Sequence, residues 1–140
     1  MHARDPDQTP AKVEPPASSA LQRLGRSFYF AFVGLGYLFR TQRNARIHLF
    51  LAACAVALGW WLKIDRTQWA ILTLAIAAVM ILEGLNTALE AAVDLASPQR
   101  HPLAKIAKDL AAGMVLLAAI AAVVIGLLIL GVPLWARLKG

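Results

Sequence analysis

The sequence predicts an all-α integral membrane protein, with an N-terminal interfacial amphipathic helix followed by three transmembrane helices. The composition is 59% hydrophobic and only 16% charged, which is far more apolar than a soluble domain. Basic residues lie mainly on one side of the apolar segments, and tryptophans lie on the other. Both distributions are typical of membrane proteins. The chain of 140 residues is enough for one domain.

Residues 1–20 are predicted to be a disordered leader, and the membrane domain is predicted to cover 21–140. The leader contains four prolines and three acidic residues without an apolar core. It therefore does not resemble a signal peptide, and it cannot bury enough apolar surface to fold. No function is assigned to it.

The first helix, predicted over 21–43, is expected to lie in the headgroup region of a membrane. Its apolar part, Leu24 to Phe39, is shorter than the ~20 residues that a span needs, and it carries six aromatic residues and three glycines. Aromatic side chains between flanking arginines suit the interface. A distorted additional span is the alternative.

Three transmembrane helices are predicted over 47–62, 67–94 and 108–134. The first is short, so His48 and the Trp60-Trp61 pair are expected in the interfaces. A tight polar turn, 63–66, joins it to the second helix. Cys54 is interpreted as a small packing residue. Packing or kink positions are expected in the third helix at Gly113, Gly126, Gly131 and Pro133.

The orientation follows from the distribution of basic residues. With the N-terminus inside, ten lysines and arginines lie on the cytoplasmic side and four lie outside. The inner set is Arg4, Lys12, Arg23, Arg26, Arg40, Arg43, Arg46, Arg100, Lys105 and Lys108, and the outer set is Lys63, Arg66, Arg137 and Lys139. All four tryptophans then lie at the outer interface. The formal charge of +6 is thereby explained without a nucleic-acid partner, and none is expected.

A polar stripe marks the cytoplasmic end of the second span. At about 100° per residue, its members share one helix face. They are Glu83, Asn86, Thr87, Glu90 and Asp94, here called the acidic stripe. Glu83 lies ~24 Å of helical rise beyond Thr67, near the far edge of a ~30 Å hydrocarbon core. A charge there costs a few kcal/mol and is usually kept for function.

The residue types of this region indicate phosphoryl transfer. Lys105, Lys108 and Asp109 at the start of the third helix are expected to face the acidic stripe. Carboxylate and amide oxygens suit Mg²⁺, lysine suits phosphate, and a carboxylate in a partly apolar site can act as a general base. These groups are the requirements of phosphoryl transfer. Because the base lies at bilayer depth, the expected acceptor is an alcohol dissolved in the membrane.

Structural roles are the alternatives for the same residues. Glu90, Asp94, Lys105 and Lys108 can be solvated helix ends. Glu83 can make an interhelical hydrogen bond, and Asn86 can join helices in the same way. His101 can be an ordinary loop residue, and His48 an interfacial one.

A family resemblance is carried by two motifs. Glu83-x-x-Asn86-Thr87-Ala-x-Glu90-x-x-Val93-Asp94, with His101-Pro-Leu-Ala-Lys105-Ile-Ala-Lys108-Asp109, closely resembles the prokaryotic diacylglycerol kinase and undecaprenol kinase family. Ser27-Phe28 and Arg43-Asn44-x-Arg46-Ile47-His48 look like that family's first helix. The resemblance covers roughly 21–135.

The resemblance implies a homotrimeric lipid kinase of the bacterial cytoplasmic membrane, with active sites at subunit boundaries and with ATP, Mg²⁺ and a lipid alcohol as ligands. It makes Glu83 the catalytic base and Glu90 the metal ligand. Asn86, Thr87, Asp94 and Lys105 would support the site. The nucleotide would contact Arg23, Phe30, Gln42, Glu90, Gln99, Arg100, His101, Lys108 and Asp109.

One position departs from the family's pattern. Gln42 stands where members commonly carry a glutamate that helps to bind the metal, and it brings an amide oxygen without charge. This departure leaves open a catalytically weakened member that acts as a membrane scaffold. A small ion carrier is a third possibility, although the lysines opposite the stripe favour a polyanion. Diacylglycerol and undecaprenol both remain candidate substrates, and the motif that begins at His101 looks more like the undecaprenol branch.

Overall fold

The structure is a computed structural model that describes residues 19–99 and 101–139. Its helices are α1 (Ala20–Thr41), α2 (Arg43–Leu62), α3 (Arg66–Ala96), α4 (Pro102–Gly126), a π-helix (Leu127–Gly131) and α5 (Val132–Lys139). Three helical runs are long and apolar enough to cross a membrane, namely Arg43–Leu62, Arg66–Ala96 and Pro102–Lys139. The predicted all-α fold with three such helices is confirmed. Most of the predicted leader lies outside the described residues.

The chain divides into two units within α1, after Val33. The described part of the first unit begins with a capping box at the start of α1. The Ser19 hydroxyl accepts the N–H of Gln22 at 3.3 Å, and the Gln22 side chain accepts the N–H of Ser19 at 3.0 Å. A serine followed three residues later by glutamine is the sequence signature of this motif.

The second unit, from Gly34 onward, contains a break between α1 and α2. Sequence analysis predicted helix over 21–43, but Gln42 is extended, with φ −97° and ψ 114°. The Thr41 hydroxyl donates to the carbonyl of Tyr37 at 2.8 Å. Such bonds from threonine to the preceding turn weaken a helix. The chain therefore changes direction at Gln42, and α2 begins at Arg43.

The turn between α2 and α3 is closed by a Schellman motif. Lys63 is left-handed, with φ 55° and ψ 46°. The N–H of Ile64 donates to the carbonyl of Gly59, and that of Lys63 donates to the carbonyl of Trp60, both at 3.2 Å. A Cβ on Gly59 would lie 3.0 Å from Cδ1 of Ile64, so any larger residue would force the Ile64 side chain to shift.

A second capping box starts α3 directly after this turn. The Asp65 carboxylate accepts the N–H of Gln68 at 2.9 Å, and the Gln68 side chain accepts the N–H of Asp65 at 3.0 Å. The polar turn expected from the sequence is thus stabilised by the Schellman motif at its start and by the capping box at its end. Helices α2 and α3 form an antiparallel hairpin around it.

The run from α4 to α5 passes through the π-helix immediately before Pro133. Proline lacks the N–H that would bond the carbonyl of Ile129, and a π-turn is a common way to absorb such a defect. The helical run continues to Lys139, beyond the predicted end at 134.

The tryptophans lie at the end of the second unit opposite the acidic stripe. Nη1 of Arg137 donates to the carbonyl of Trp61 at 2.6 Å, and its guanidinium lies 4.8 Å from the centre of the Trp61 ring. The ammonium of Lys139 lies 4.6 Å from the ring centre of Trp135. Arg137 thus ties α5 to the end of α2 and satisfies a carbonyl that the helix itself leaves unpaired.

Few apolar side chains are buried within the chain, and many large ones are exposed along the spans. One buried cluster, Ile64, Leu72, Ile129 and Leu130, lies near the tryptophan end. Burial then follows one face of α3 through Leu72, Ala75, Val79, Glu83 and Thr87. The last two are polar, and they lead into the candidate site.

Candidate active site

The acidic stripe begins as a continuation of the buried face of α3. Glu83 is 2% exposed and Thr87 is 9% exposed. The Thr87 hydroxyl donates to the backbone carbonyl of Glu83 at 3.0 Å, so its polar group is satisfied locally. Among residues 19–99 and 101–139, no hydrogen bond or ion pair to the Glu83 carboxylate is found. The interhelical hydrogen bond considered for Glu83 is therefore not formed within this part of the chain.

The end of α1 packs beside this part of α3. A Cβ on Gly84 would lie 3.9 Å from Cδ2 of Leu38, and Leu38 itself is buried. Gln42 lies one turn further on, about 6 Å along the helix axis. Its half-buried side chain makes no capping bond to α2. The Gln42 side-chain amide therefore makes no hydrogen bond that caps the start of α2.

Asn86 and Glu90 form the next turn of the stripe. Nδ2 of Asn86 donates to Oε1 of Glu90 at 3.3 Å. Oδ1 of Asn86 is buried and has no hydrogen-bond partner within the described chain. Leaving a buried acceptor unpaired costs ~1–3 kcal/mol, so this oxygen favours a bound donor or cation. Glu90 and Asn86 are the residues best suited to hold a metal ion.

A cleft with several charged and polar residues in its lining opens one turn beyond Glu90. It has a volume of about 550 Å³ and lies between the C-terminal end of α3 and the N-terminal end of α4. Asp94, Gln99, His101, Lys105 and Lys108 contribute polar side chains to its lining. Two lysines at a helix N-terminus attract anions, because the helix dipole adds to their charge.

Two ion pairs border the cleft. Lys108 pairs with Asp94 across the two helices, at 2.5 Å. Lys105 pairs with Asp109 on the surface of α4, where the two side chains are 78% and 62% exposed. The first pair joins the end of the stripe to α4. The second is a solvated pair of the kind that contributes little to stability.

His101 has a structural role that sequence analysis did not identify. Its Nδ1 accepts the N–H of Leu103 at 3.2 Å, so it is the N-cap of α4, with Pro102 in the first turn. Proline is favoured at that position, and this signal could have located the helix start. The predicted start of the third span at 108 marked only its apolar part.

The predicted site residues thus fall into separate groups. Glu83, Asn86, Thr87, Glu90 and Asp94 follow one face of α3, and the last borders the cleft with Gln99, His101, Lys105 and Lys108. Asp109 is exposed and does not line the cleft. Arg23 and Phe30 belong to the first unit, where Phe30 packs edge-to-face on Tyr29 at 5.5 Å. Arg100 lies outside the described residues.

No group of three or more His, Cys, Asp or Glu side chains suited to a metal ion is found in the described ranges. Mg²⁺ does not need such a group, because it usually binds one or two carboxylates together with substrate phosphates. The pair of Glu90 and Asn86 fits that pattern.

The fold and site define a class of protein: a small helical membrane protein with a buried carboxylate and, further along the same helix, a cleft lined by lysines. The profile of the family described as prokaryotic diacylglycerol kinase matches residues 29–130. The chain belongs to this family.

Three relatives illustrate the similarity. The chain is 52% identical over 109 residues to a diacylglycerol kinase of Synechocystis sp., covering 77% of this chain and 62% of that protein. It is 44% identical over 110 residues to the undecaprenol kinase of Bacillus subtilis, covering 78% and 89%. It is 31% identical over 97 residues to a diacylglycerol kinase of Helicobacter pylori, covering 69% and 76%. The match to the cyanobacterial protein thus spans less than two thirds of that relative.

Proposed function

We propose that this protein is an ATP- and Mg²⁺-dependent lipid kinase, which phosphorylates a membrane alcohol at the cytoplasmic face of the bacterial cytoplasmic membrane. The observation that carries the proposal is the position of Glu83. Its carboxylate is buried where a membrane span meets the acidic stripe, and a cationic cleft opens along the same helix. A lipid hydroxyl and a nucleotide phosphate can approach this stripe from opposite directions.

Glu83 serves as the general base in this proposal. Its carboxylate accepts the proton of the lipid hydroxyl while the hydroxyl oxygen bonds to the γ-phosphorus of ATP. The bond from that phosphorus to the β–γ bridging oxygen breaks, and ADP leaves. A positioned base contributes about 10²–10⁴-fold to such a rate.

Glu90 and Asn86 would hold the metal beside the phosphates. Mg²⁺ would supply positive charge that neutralises and orients the phosphate oxygens. The unpaired Oδ1 of Asn86 supports this assignment, because a buried acceptor needs a donor or a cation as its partner. Gln42 would add a neutral ligand where relatives commonly add a charged one.

The cleft at the start of α4 receives the nucleotide. Lys108, with Lys105, supplies positive charge, and Gln99 and His101 lie at the edge. The family resemblance adds Arg23, Phe30, Arg100 and Asp109 as further contacts, and Asp94 and Thr87 as supporting residues. The same resemblance implies a homotrimer whose active sites lie at subunit boundaries. Diacylglycerol would give phosphatidate, and undecaprenol would give undecaprenyl phosphate.

The test is transfer of labelled γ-phosphate from ATP to a panel of lipid alcohols, using the purified full chain in mixed micelles. Transfer should require both a lipid alcohol and Mg²⁺, and chelation of Mg²⁺ should stop it. A membrane scaffold, which Gln42 alone favours, would bind its partners without lipid-dependent turnover. ATP hydrolysis that does not respond to any lipid would also contradict the proposal.

A further inference from the structure

An apolar groove runs along the spanning helices of the second unit. It has a volume of about 240 Å³ and is lined by α2, α3 and α4. His48, Met80 and Ala119 lie towards the acidic stripe, and Ala55, Leu72 and Gly126 lie towards the tryptophan end. On each helix the lining spans eight or nine residues, which is ~10–12 Å of rise. The groove therefore runs parallel to the helices for about two helical turns.

The groove is continuous with the buried face that ends in Glu83. Val79 lines it and lies one turn, ~6 Å, before Glu83 on the same face of α3. His48 is the only polar side chain in its lining, and no hydrogen bond or ion pair of that side chain is found in the described part of the chain. A hydroxyl held at Glu83 would thus be followed, within one turn, by a wholly apolar channel with a single imidazole at its entrance.

We infer that this groove holds the first part of a single hydrocarbon chain, and that it selects a polyprenol over a diacylglycerol. The inference rests on the proposed function. In a polyprenol, hydrocarbon begins at the carbon next to the hydroxyl-bearing carbon, so apolar atoms enter the groove at once. Alanine and glycine in the lining leave room for its methyl branches.

A diacylglycerol presents different chemistry at the same depth. Its hydroxyl is separated from hydrocarbon by glycerol and two ester groups. Both ester carbonyls would enter an apolar space where only His48 can donate a hydrogen bond. Burying a carbonyl without a partner is unfavourable. The lining therefore discriminates by polarity.

The test uses the purified full chain in mixed micelles, with undecaprenol and a diacylglycerol at equal mole fractions. The wild type should show a kcat/KM at least about tenfold higher for the polyprenol, since one unmet buried hydrogen bond corresponds to that factor. An equal or higher value for the diacylglycerol would overturn the inference while leaving the kinase intact.

Matched variants on α4 test the groove itself. Ala122 lines the groove, and its neighbour Ala121 is exposed and lies outside the lining. Ala122→Leu should lower kcat/KM for the polyprenol about tenfold by excluding two or three carbons from the channel, with KM for ATP unchanged. Ala121→Leu should stay within twofold of the wild type. Equal effects of both variants would contradict the inference.

A photolabelling experiment does not depend on the folding of any variant. A polyprenol analogue with a diazirine near its hydroxyl end should label wild-type residues of the groove on α2, α3 or α4, and free polyprenol should compete. Labelling confined to other surfaces would overturn the inference. If no lipid is phosphorylated but the groove is labelled, the proposed kinase activity fails and the lipid site stands.

Discussion

Glu83 is the residue on which the proposed chemistry depends. Its position after fourteen residues that are apolar apart from Thr73 was enough to single it out from the sequence, and the structure places it 2% exposed. Glu83→Gln keeps the shape of the side chain and removes its ability to accept a proton. We expect turnover to fall by ~10²–10⁴-fold, with ATP affinity changed no more than a few fold.

Two quantities are measured for this variant: the rate of phosphate transfer, and the ATP affinity from equilibrium binding. Thermal unfolding serves as the control, because a neutral amide costs less to bury than a charge and the variant should remain folded. Retention of most activity would show that Glu83 is not the base.

Asn86 and His101 show what the sequence could not reveal at this scale. Asn86 was expected to support the site, but its unpaired Oδ1 depends on which atoms surround it in the folded chain. His101 was expected near the nucleotide, and its capping bond to Leu103 depends on backbone geometry. Residue type and spacing identify candidates, whereas hydrogen-bond satisfaction is a property of the fold.

At the scale of elements, the break at Gln42 separates α1 from α2. A continuous helix was assumed through this position, and the extended backbone instead frees a side chain that makes no capping bond. Gln42→Glu should lower the Mg²⁺ concentration needed for half-maximal rate, because it restores the carboxylate that the family's pattern places there for the metal, and a divalent cation prefers the added charge.

Gln42→Ala is the matched control for this prediction. Because no capping bond is lost, it should leave the thermal unfolding temperature nearly unchanged and should not improve use of Mg²⁺. An unaltered Mg²⁺ dependence in Gln42→Glu would mean that the side chain does not face the metal.

The turn between α2 and α3 gives a prediction about stability. A Cβ on Gly59 would meet Cδ1 of Ile64 at 3.0 Å and Cη2 of Trp69 at 3.3 Å, so Gly59→Ala should destabilise the hairpin by ~1–3 kcal/mol. Gly113→Ala is the control, since nothing lies within 4 Å of its added Cβ. It should be neutral or stabilising, because alanine favours a helix. Thermal unfolding in detergent compares the two, and equal changes would contradict the packing argument.

The existence of the spanning helices followed from hydropathy, but their ends did not. Apolar segments predicted spans from 47 and 108, whereas α2 begins at Arg43 and α4 at Pro102. A hydropathy pattern detects the part of a helix that suits hydrocarbon, and helices continue into polar flanks until a cap or a break ends them. His101 with Pro102 was the signal for the start of α4, and Asp65 with Gln68 was the signal for the start of α3.

At the scale of the whole molecule, the two ends of the second unit have contrasting chemistry. Arg137 and Lys139 lie on tryptophan rings at one end, and the acidic stripe and its cleft occupy the other. Aromatic and basic side chains anchor a helix end in an interface, so the tryptophan end fixes the depth of the spans. We expect Glu83 then to lie where hydrocarbon gives way to headgroups.

The orientation of the unit decides whether the cleft can reach ATP. The excess of basic residues on the N-terminal side predicts that Gln99 is cytoplasmic and Leu138 external. Both side chains are exposed, so each can carry a cysteine probe in a variant that lacks Cys54. In intact cells, an impermeant maleimide should label the Leu138→Cys variant directly, and the Gln99→Cys variant only after permeabilisation. Labelling of the Gln99→Cys variant from outside would place the cleft on the external side, where it could not reach cytoplasmic ATP. Both the predicted topology and the proposed kinase activity would then be wrong.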